Sequence, residues 1–335
     1  MTEKKELYLL AISLLVLMLF FCCIQREQND YSDLKGAYLG QKPPGMTPEV
    51  FAPGILSHGL HEHALTISPN GTELFYATTD SSFSYYTIIR VVKENNLWKE
   101  PEDAPFSGEY LDLAPSFSPD GTKLFYSSSR PVPGSHKEKS DIDIWVVEKQ
   151  GDSWSNQKHL PAPLNTEDNE LNASAASNGN LYFQRGSVGD IFVANFQDGC
   201  YLAPERLPLP VNSEHDESAP FISPDESFLL FHSNRPGGFG GMDIYICFRK
   251  KSGQWSPPVN LGEPVNTSFN DGGPCLSPDR RFLFFSRFAV LGPDNFKGKT
   301  YKELMKLFWN PQNTFYWADA RILGTLHPDF LEDIE

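Results

Sequence analysis

The sequence predicts an all-β fold: a single β-propeller of four-stranded blades, five in number and closed into a ring by an N-terminal strand. Three observations carry this reading. A unit recurs five times along the chain, each copy turns on a Ser-Pro-Asp type corner, and the composition favours short aromatic strands. Gly and Pro number 25 and 27 in 335 residues while aromatics reach 13%, a mixture that suits strands between many turns and argues against helical bundles.

The repeat is explicit. Ser68-Pro69-Asn70-Gly71-Thr72 precedes Leu74-Phe75-Tyr76, and Ser118-Pro119-Asp120-Gly121-Thr122 precedes Leu124-Phe125-Tyr126. Ser177-Asn178-Gly179 precedes Leu181-Tyr182-Phe183, Ser223-Pro224-Asp225 precedes Leu229-Leu230-Phe231, and Ser277-Pro278-Asp279 precedes Leu283-Phe284-Phe285. The serines lie 50, 59, 46 and 54 residues apart, the length of a four-stranded blade and too long for a leucine-rich or ankyrin unit. In four of the corners Pro presets φ, and in all five Asn or Asp, followed by Gly in the first three, supplies the tight turn, so an inner strand is joined to an apolar second strand. A third strand follows at Asp143-Ile144-Trp145, Asp190-Ile191-Phe192, Asp243-Ile244-Tyr245 and Phe315-Tyr316-Trp317, and the aromatics Trp98, Trp154, Tyr201 and Trp255 mark the outer turns.

Closure follows from the ends. Gly45-Met46-Thr47-Pro48-Glu49-Val50-Phe51-Ala52-Pro53 copies the outer-strand segment Trp98-Lys99-Glu100-Pro101-Glu102-Asp103-Ala104-Pro105 but has no earlier strands of its own, whereas the last unit stops after its third strand. The N-terminal strand therefore completes the fifth blade.

These corners resemble the WD40-like (PD40) repeat proteins of the TolB type, over residues 45–322. The resemblance implies a propeller and leaves function open. TolB itself is six-bladed, which makes six the alternative to five, although no residues remain to build a sixth. The loop Ser233-Asn234-Arg235-Pro236-Gly237-Gly238-Phe239-Gly240-Gly241-Met242-Asp243 also resembles repeats found ahead of peptidoglycan-binding domains in some outer-membrane proteins. The sequence contains neither such a domain nor TolB's N-terminal α/β domain, so the partners of neither family are carried over.

Ahead of the repeats, Lys4 and Lys5 precede an apolar run at 7–24, which reads as an export segment over residues 1–23 with an uncleaved anchor as the alternative. Cys23, preceded by the small Cys22, resembles the lipidated cysteine of bacterial lipoproteins. The expected organisation is then a flexible tether over 24–44, the propeller over 45–323 with an insertion at 288–314, and a tail over 324–335. The body is placed in the bacterial cell envelope, periplasm or outer membrane, attached to a membrane through its N-terminus. Beyond that segment only Cys200, Cys247 and Cys275 remain, too few for a disulfide framework and without a Cys-x-x-Cys pair.

Charge narrows the partners. Asp and Glu number 43 against 28 Lys and Arg, a net charge of -15 that repels the phosphate backbone, so no nucleic-acid role is expected. Aligning the units on their serines exposes a carboxylate at the start of every inner strand: Glu62, Asp112, Glu170, Asp216 with Glu217, and Asp271. In a propeller these surround one mouth of the channel. Convergent carboxylates suit a polar ligand or a divalent cation, and no other cofactor is indicated. The competing reading is that each serves its own blade, because periodic residues in a repeat protein mostly serve the repeat.

Two further sets lie on the same face. Arg130, Arg185 and Arg235 accompany Asp143, Asp190 and Asp243, and are expected to pair with them as structural clasps, so that Asp243→Ala lowers the melting temperature; Arg287 lacks such a partner. His61 and His63, with His58, flank Glu62 and could ligate a metal, though nothing repeats their spacing. The insertion carries helical spacing at 300–309. Nucleophile elbows and phosphate loops are absent. Two function classes remain: a non-catalytic envelope propeller that binds a protein, peptide or glycan at the channel mouth, and a glycan-active enzyme using two of its carboxylates.

Overall fold

The computed structural model describes residues 34–324 apart from 59–60, 81–83, 135–140, 187, 289–297, 299 and 301–313. The leader, Cys23, the 300–309 helix and the C-terminal tail beyond 324 lie outside the described residues. Five antiparallel sheets follow one another along the chain, and each is built in the order inner, second, third, outer. Blade one consists of His63–Ile67, Glu73–Thr79, Tyr86–Glu94 and Glu102–Asp103. Blade two runs Asp112–Phe117, Lys123–Ser128, Asp143–Gln150 and Lys158–His159, and blade three Glu170–Ala175, Leu181–Arg185, Asp190–Ala194 and Glu205–Arg206. Blade four runs Glu217–Ile222, Phe228–Ser233, Asp243–Phe248 and Val259–Asn260. Blade five has Asn270–Leu276, Phe282–Phe288 and Thr314–Asp319, and its outer strand is the N-terminal Glu49–Val50, paired with Trp317 and Tyr316. The ring therefore closes with strands from both ends of the propeller, at five blades.

Second strands are buried on both faces, which is why Leu74-Phe75-Tyr76 and its counterparts read as unbroken apolar runs rather than alternating ones. Their side chains fill five wedge-shaped cores, one between each pair of neighbouring blades. The Ser-Pro-Asp corner works as a hydrogen-bonded unit: Ser118 Oγ donates to Asp120 Oδ1 at 2.6 Å and accepts the Lys123 N–H at 3.0 Å, and Ser277 repeats this with Asp279 and Phe282. The third corner is displaced by one residue from the sequence alignment. Ala176, not Ser177, holds the serine position, and Ser177 stands where the others have Pro; its free N–H donates to Pro224 O of blade four at 2.7 Å.

Residues 34–44, expected as tether, are docked. Trp98 N–H donates to Leu34 O at 2.9 Å and its indole to Gly36 O at 2.9 Å, while the Gln41 side chain bonds Val50 O and Ala52 N–H. Tyr38 lies 5.1 Å edge-on from Phe282 and 5.7 Å from Trp317, and burial pushes its hydroxyl up to about 12. Three apolar residues of the segment (Leu34, Tyr38, Leu39) make this docking favourable, because the seam between blades five and one offers Trp317, Phe51 and Phe284 to cover. Phe51, fully buried at this seam, contacts both Phe284 and Trp317 at about 5 Å. Phe51→Ala is expected to destabilise the domain by about 3–5 kcal/mol, read as a lowered urea midpoint with an unchanged slope.

Candidate functional site

Each inner strand starts from a loop whose sequence repeats more fully than the carboxylate alone. Six residues before the carboxylate stands a buried apolar residue (Leu56, Phe106, Leu164, Val211, Val265) and five before it a Ser or Asn (Ser57, Ser107, Asn165, Asn212, Asn266). Asn165, Asn212 and Asn266 act as strand mimics. Each accepts a third-strand N–H and returns a bond to the same residue's carbonyl, at Ile144, Ile191 and Ile244, over 2.8–2.9 Å. The next residue then binds the carboxylate: Thr166, Ser213 and Thr267 donate both hydroxyl and backbone N–H to Glu170, Glu217 and Asp271.

Arginine completes the arrangement. Arg130 pairs with Asp112 at 3.0 Å, Arg185 with Glu170 at 2.8 Å, Arg235 with Glu217 at 2.9 Å and Arg287 with Asp271 at 2.6 Å. The same guanidinium donates to the carbonyl of the apolar residue at 2.7–2.8 Å, namely Phe106, Leu164, Val211 and Val265. It also lies over a cross-strand aromatic pair: Tyr126 and Trp145, Phe183 and Phe192, Phe231 and Tyr245, Phe285 and Tyr316. The expected partners are thereby corrected. Arg130, Arg185 and Arg235 do not clasp Asp143, Asp190 and Asp243, because the inner-strand carboxylate lies on the same blade edge and is reached without crossing the loop. Arg287, the apparent exception, has the same partner as the rest.

The third-strand aspartates face the outer strand instead. Asp143 meets His159 at 2.6 Å, Asp190 is bridged by Arg206 at 2.6 Å, and Asp243 accepts the N–H groups of Phe239 and Gly240 together with Asn260. Asp243 thus folds the glycine-rich loop back on its own blade, and a Cβ at Gly240 would fall on the Phe269 carbonyl.

Of the five carboxylates predicted to form a ring, four positions are fully buried and held by these bonds, and Glu62 is 3% exposed, with Oε1 accepting the His58 N–H. In blade four the position belongs to Glu217. Asp216 is displaced outward and accepts the Gly189 N–H and the Ser218 hydroxyl, tying blade four to the loop of blade three. Burial holds the Glu170 and Asp271 carboxyls above their usual range, against the opposing pull of hydroxyl, backbone and arginine donors. Blade one departs from the others: Thr78 and Asp80 stand where the arginine would be, and Ile89 replaces the second aromatic.

Two residues after each carboxylate the inner strand enters the left-handed region, at Ala64, Ala114, Asn172, Ala219 and Gly273, where its pairing with the second strand slips. The Ala-Pro and Gly-Pro pairs at 114–115, 219–220 and 273–274 are the signal in the sequence that reveals it. Two cavities lie along the channel. One, of about 220 Å³ at the corner end, is lined by Pro69, Pro119, Pro224 and Pro278 with Phe117 and Phe221. The other, at the carboxylate end, is lined by His61, Glu62, His63, Tyr86, His232 and Ser286. His61 and His63 are therefore together at the mouth, joined by His232, which sequence spacing did not reveal; among the described residues no group of three His, Cys, Asp or Glu side chains is placed to hold a metal ion. His58 turns away to Ile55 O. Burial pushes the Cys247 and Cys275 thiols up to about 12, which leaves them poor nucleophiles.

No family model matches the chain, and no curated protein matches it. Among solved structures the chain is similar to a putative TolB from Agrobacterium tumefaciens, at 19% identity over 69% of this chain and 72% of that one, with a TM-score of 0.47. It is also similar to TolB from Acinetobacter baumannii, at 15% identity and a TM-score of 0.43 over 68% of this chain and about half (51%) of the other. An alpha-L-arabinofuranosidase from Lactobacillus brevis matches at 13% identity and a TM-score of 0.46, over 76% and 88% of the two chains.

Two outcomes follow from the geometry. Arg235→Ala leaves the Glu217 carboxylate buried without its cation and is expected to cost about 3–5 kcal/mol, whereas Arg206→Ala, which breaks an exposed pair, is expected to cost less than about 1 kcal/mol in the same urea titration. Burial lowers His63 and His232 to about 4, below the value near 6.5 of the unfolded chain. The unfolded state then binds the extra protons, so the stabilisation is complete above about pH 6.5 and is lost as pH falls towards about 4, by up to roughly 3 kcal/mol per ring. The raised carboxyls of Glu170 and Asp271 act in the opposite sense, stabilising the fold as pH falls through their raised values. Urea midpoints from about pH 7.5 to 4.5 should fall in the wild type and flatten when both histidines are replaced by Gln.

Proposed function

We propose that this chain is a non-catalytic propeller of the bacterial cell envelope, exported by its N-terminal segment, lipid-anchored through Cys23, and binding a protein, peptide or glycan partner on the channel-mouth face. One observation carries the choice over a glycan-active enzyme. The carboxylates such an enzyme would use, Asp112, Glu170, Glu217 and Asp271, are buried and bonded to arginine, and an acid and a nucleophile need both a free face and unlike environments.

The mouth face also presents what a binding surface needs. Strand direction places the loops between second and third strands, and those between one blade and the next, on that face. Tyr85, Val188, Leu209 and Phe239 in those loops are 45%, 68%, 74% and 48% exposed, against two other large apolar side chains exposed elsewhere among the described residues. Exposed large apolar side chains on loops of one face are candidates for contact with a partner. The net charge of -15 steers against nucleic acid and anionic partners.

Crosslinked capture of the tagged full chain from its native envelope tests this. A stoichiometric partner is expected, lost when Val188, Leu209 and Phe239 are changed together to Ser while the melting temperature is kept. Incubation of the purified chain with envelope polysaccharides, with EDTA or with added calcium, is expected to release no reducing sugar. Release that disappears on Glu62→Gln or Asp271→Asn would overturn the reading in favour of the enzyme.

A further inference from the structure

A cavity of about 260 Å³ opens between blades two and three at the corner end of the ring, walled by Lys123, Phe125, Ser177, Phe196 and Tyr201. Strand register identifies its counterpart between blades five and one. Leu74 pairs with Val91 and Leu181 with Ala194; two residues on, Lys93 and Phe196 open matching hairpins that close with Trp98 and Tyr201. The counterpart already holds a peptide: Trp98 N–H donates to Leu34 O, Lys35 bridges to Leu97, and Ala37 and Tyr38 wall the cavity of about 210 Å³ that remains. Tyr38 packs there against Phe282 and Phe284, whose equivalents in blade two are Lys123 and Phe125. No segment among the described residues takes that place on blade two. The Tyr201 N–H, which like that of Trp98 points out of its hairpin, has no acceptor among them.

Charge distinguishes the open seam from the occupied one. The residue before the leucine of each second strand is Glu73, Lys123, Asn180, Phe228 or Phe282. Glu73 is paired with Arg90 and Lys149, Asn180 bonds the Phe196 N–H and Glu226, and the two phenylalanines belong to the core. Of the five, Lys123 carries a charge with no opposite partner: its Nζ lies 5.5 Å from the centre of the Phe196 ring and makes no ion pair among the described residues. Asp120 shares the cavity wall, but its Oδ1 is taken by the Ser118 hydroxyl and by both donors of Thr122. An ammonium, aromatic rings and an outward N–H are matched by a carboxylate, a ring and a carbonyl. The net charge of -15 acts against a run of acidic residues, so the complement is a single carboxylate.

We propose that this seam docks an extended peptide segment of a partner protein, carrying an aromatic side chain with one acidic residue beside it. A carbonyl four residues before the ring adds the segment to the hairpin edge at Tyr201, as Leu34 does at Trp98; the ring covers Phe125, as Tyr38 covers Phe284; the carboxylate neutralises Lys123. The groove lies at the opposite end of the ring from the mouth and does not depend on the mouth-face reading.

Calorimetric titration of the full chain in detergent with acetyl-Leu-Gln-Gly-Ala-Tyr-Glu-amide tests the groove, beside peptides with Ala for Tyr or Lys for Glu. One site per chain is expected, with both altered peptides at least about tenfold weaker. Lys123→Glu should reverse the preference between the Glu and Lys peptides, and Ser177→Phe, at an exposed position of the wall, should abolish binding, both without lowering the melting temperature. Either variant decides the matter if the other does not fold. Absence of binding, equal binding of the Glu and Lys peptides, or unchanged affinity in Lys123→Glu overturns the assignment. Binding that survives Ser177→Phe places the peptide at another seam and overturns it as well. A concentration-dependent dimer in sedimentation, dissolved by Lys123→Glu, would give the groove to a second copy of this chain instead of a partner protein.

Discussion

A guanidinium wedged between a buried carboxylate and a backbone carbonyl sets where four of the five blades begin. The arginine comes from the end of the second strand, the carboxylate from the start of the inner strand, and the carbonyl from the loop arriving from the previous blade. One cation thus ties three segments that are adjacent in space and separated in sequence. Burying the pair is expensive, so its net contribution to stability is modest; what it supplies is a unique arrangement, because the fully buried carboxylate has no alternative partner of equal quality. The aromatic pair beneath the guanidinium couples this polar unit to the apolar core of the same blade.

Blade one lacks the arginine and the second aromatic, and it is also the blade at the seam of the ring. Its neighbour, blade five, is completed by a strand that precedes blade one in the chain. Here the seam is held by other means: Phe51 and Trp317 pack across it, and the segment at 34–44 lies over the outside through Tyr38, Leu39 and the backbone bonds to Trp98. Covering an edge with another segment removes an unpaired strand as an aggregation site. It also means that the segment at 34–44 is continuous with the strand that closes the ring.

The two ends of the channel are consequently different in character. At the corner end proline and phenylalanine line an apolar cavity; at the other end, where four carboxylates are neutralised in place, blade one contributes Glu62, His61 and His63 and blade four His232. The asymmetry that gives the mouth its chemistry therefore arises from the blade that departs from the repeat. Exposed Tyr85, Val188, Leu209 and Phe239 surround that mouth at the level of the loops, where side chains can differ between blades without disturbing the clasps.

Fold, blade number and closure were all legible in the sequence, because each rests on local chemistry repeated along the chain: an Asn or Asp turn, preceded by Pro in four of the five units, fixes a corner, and a doubly buried second strand must be apolar throughout. The carboxylate register was legible for the same reason, and so in principle was the Asn-Ser/Thr pair before it at 165–166, 212–213 and 266–267. Partner choice was not. Whether Arg235 meets Asp243 or Glu217 depends on which carboxylate the twisted sheet brings alongside the guanidinium, and whether the position in blade four is Asp216 or Glu217 depends on a single step of strand register that turns a side chain from solvent to core. The docking of 34–44 and the meeting of His63 with His232 likewise needed the ring to close. The sequence by itself determined the repeating units and their edges, since these are properties of a few consecutive residues; only the tertiary structure decided which charges are spent inside the blades and which groups are left at the mouth, since those pairings join residues that the chain keeps far apart.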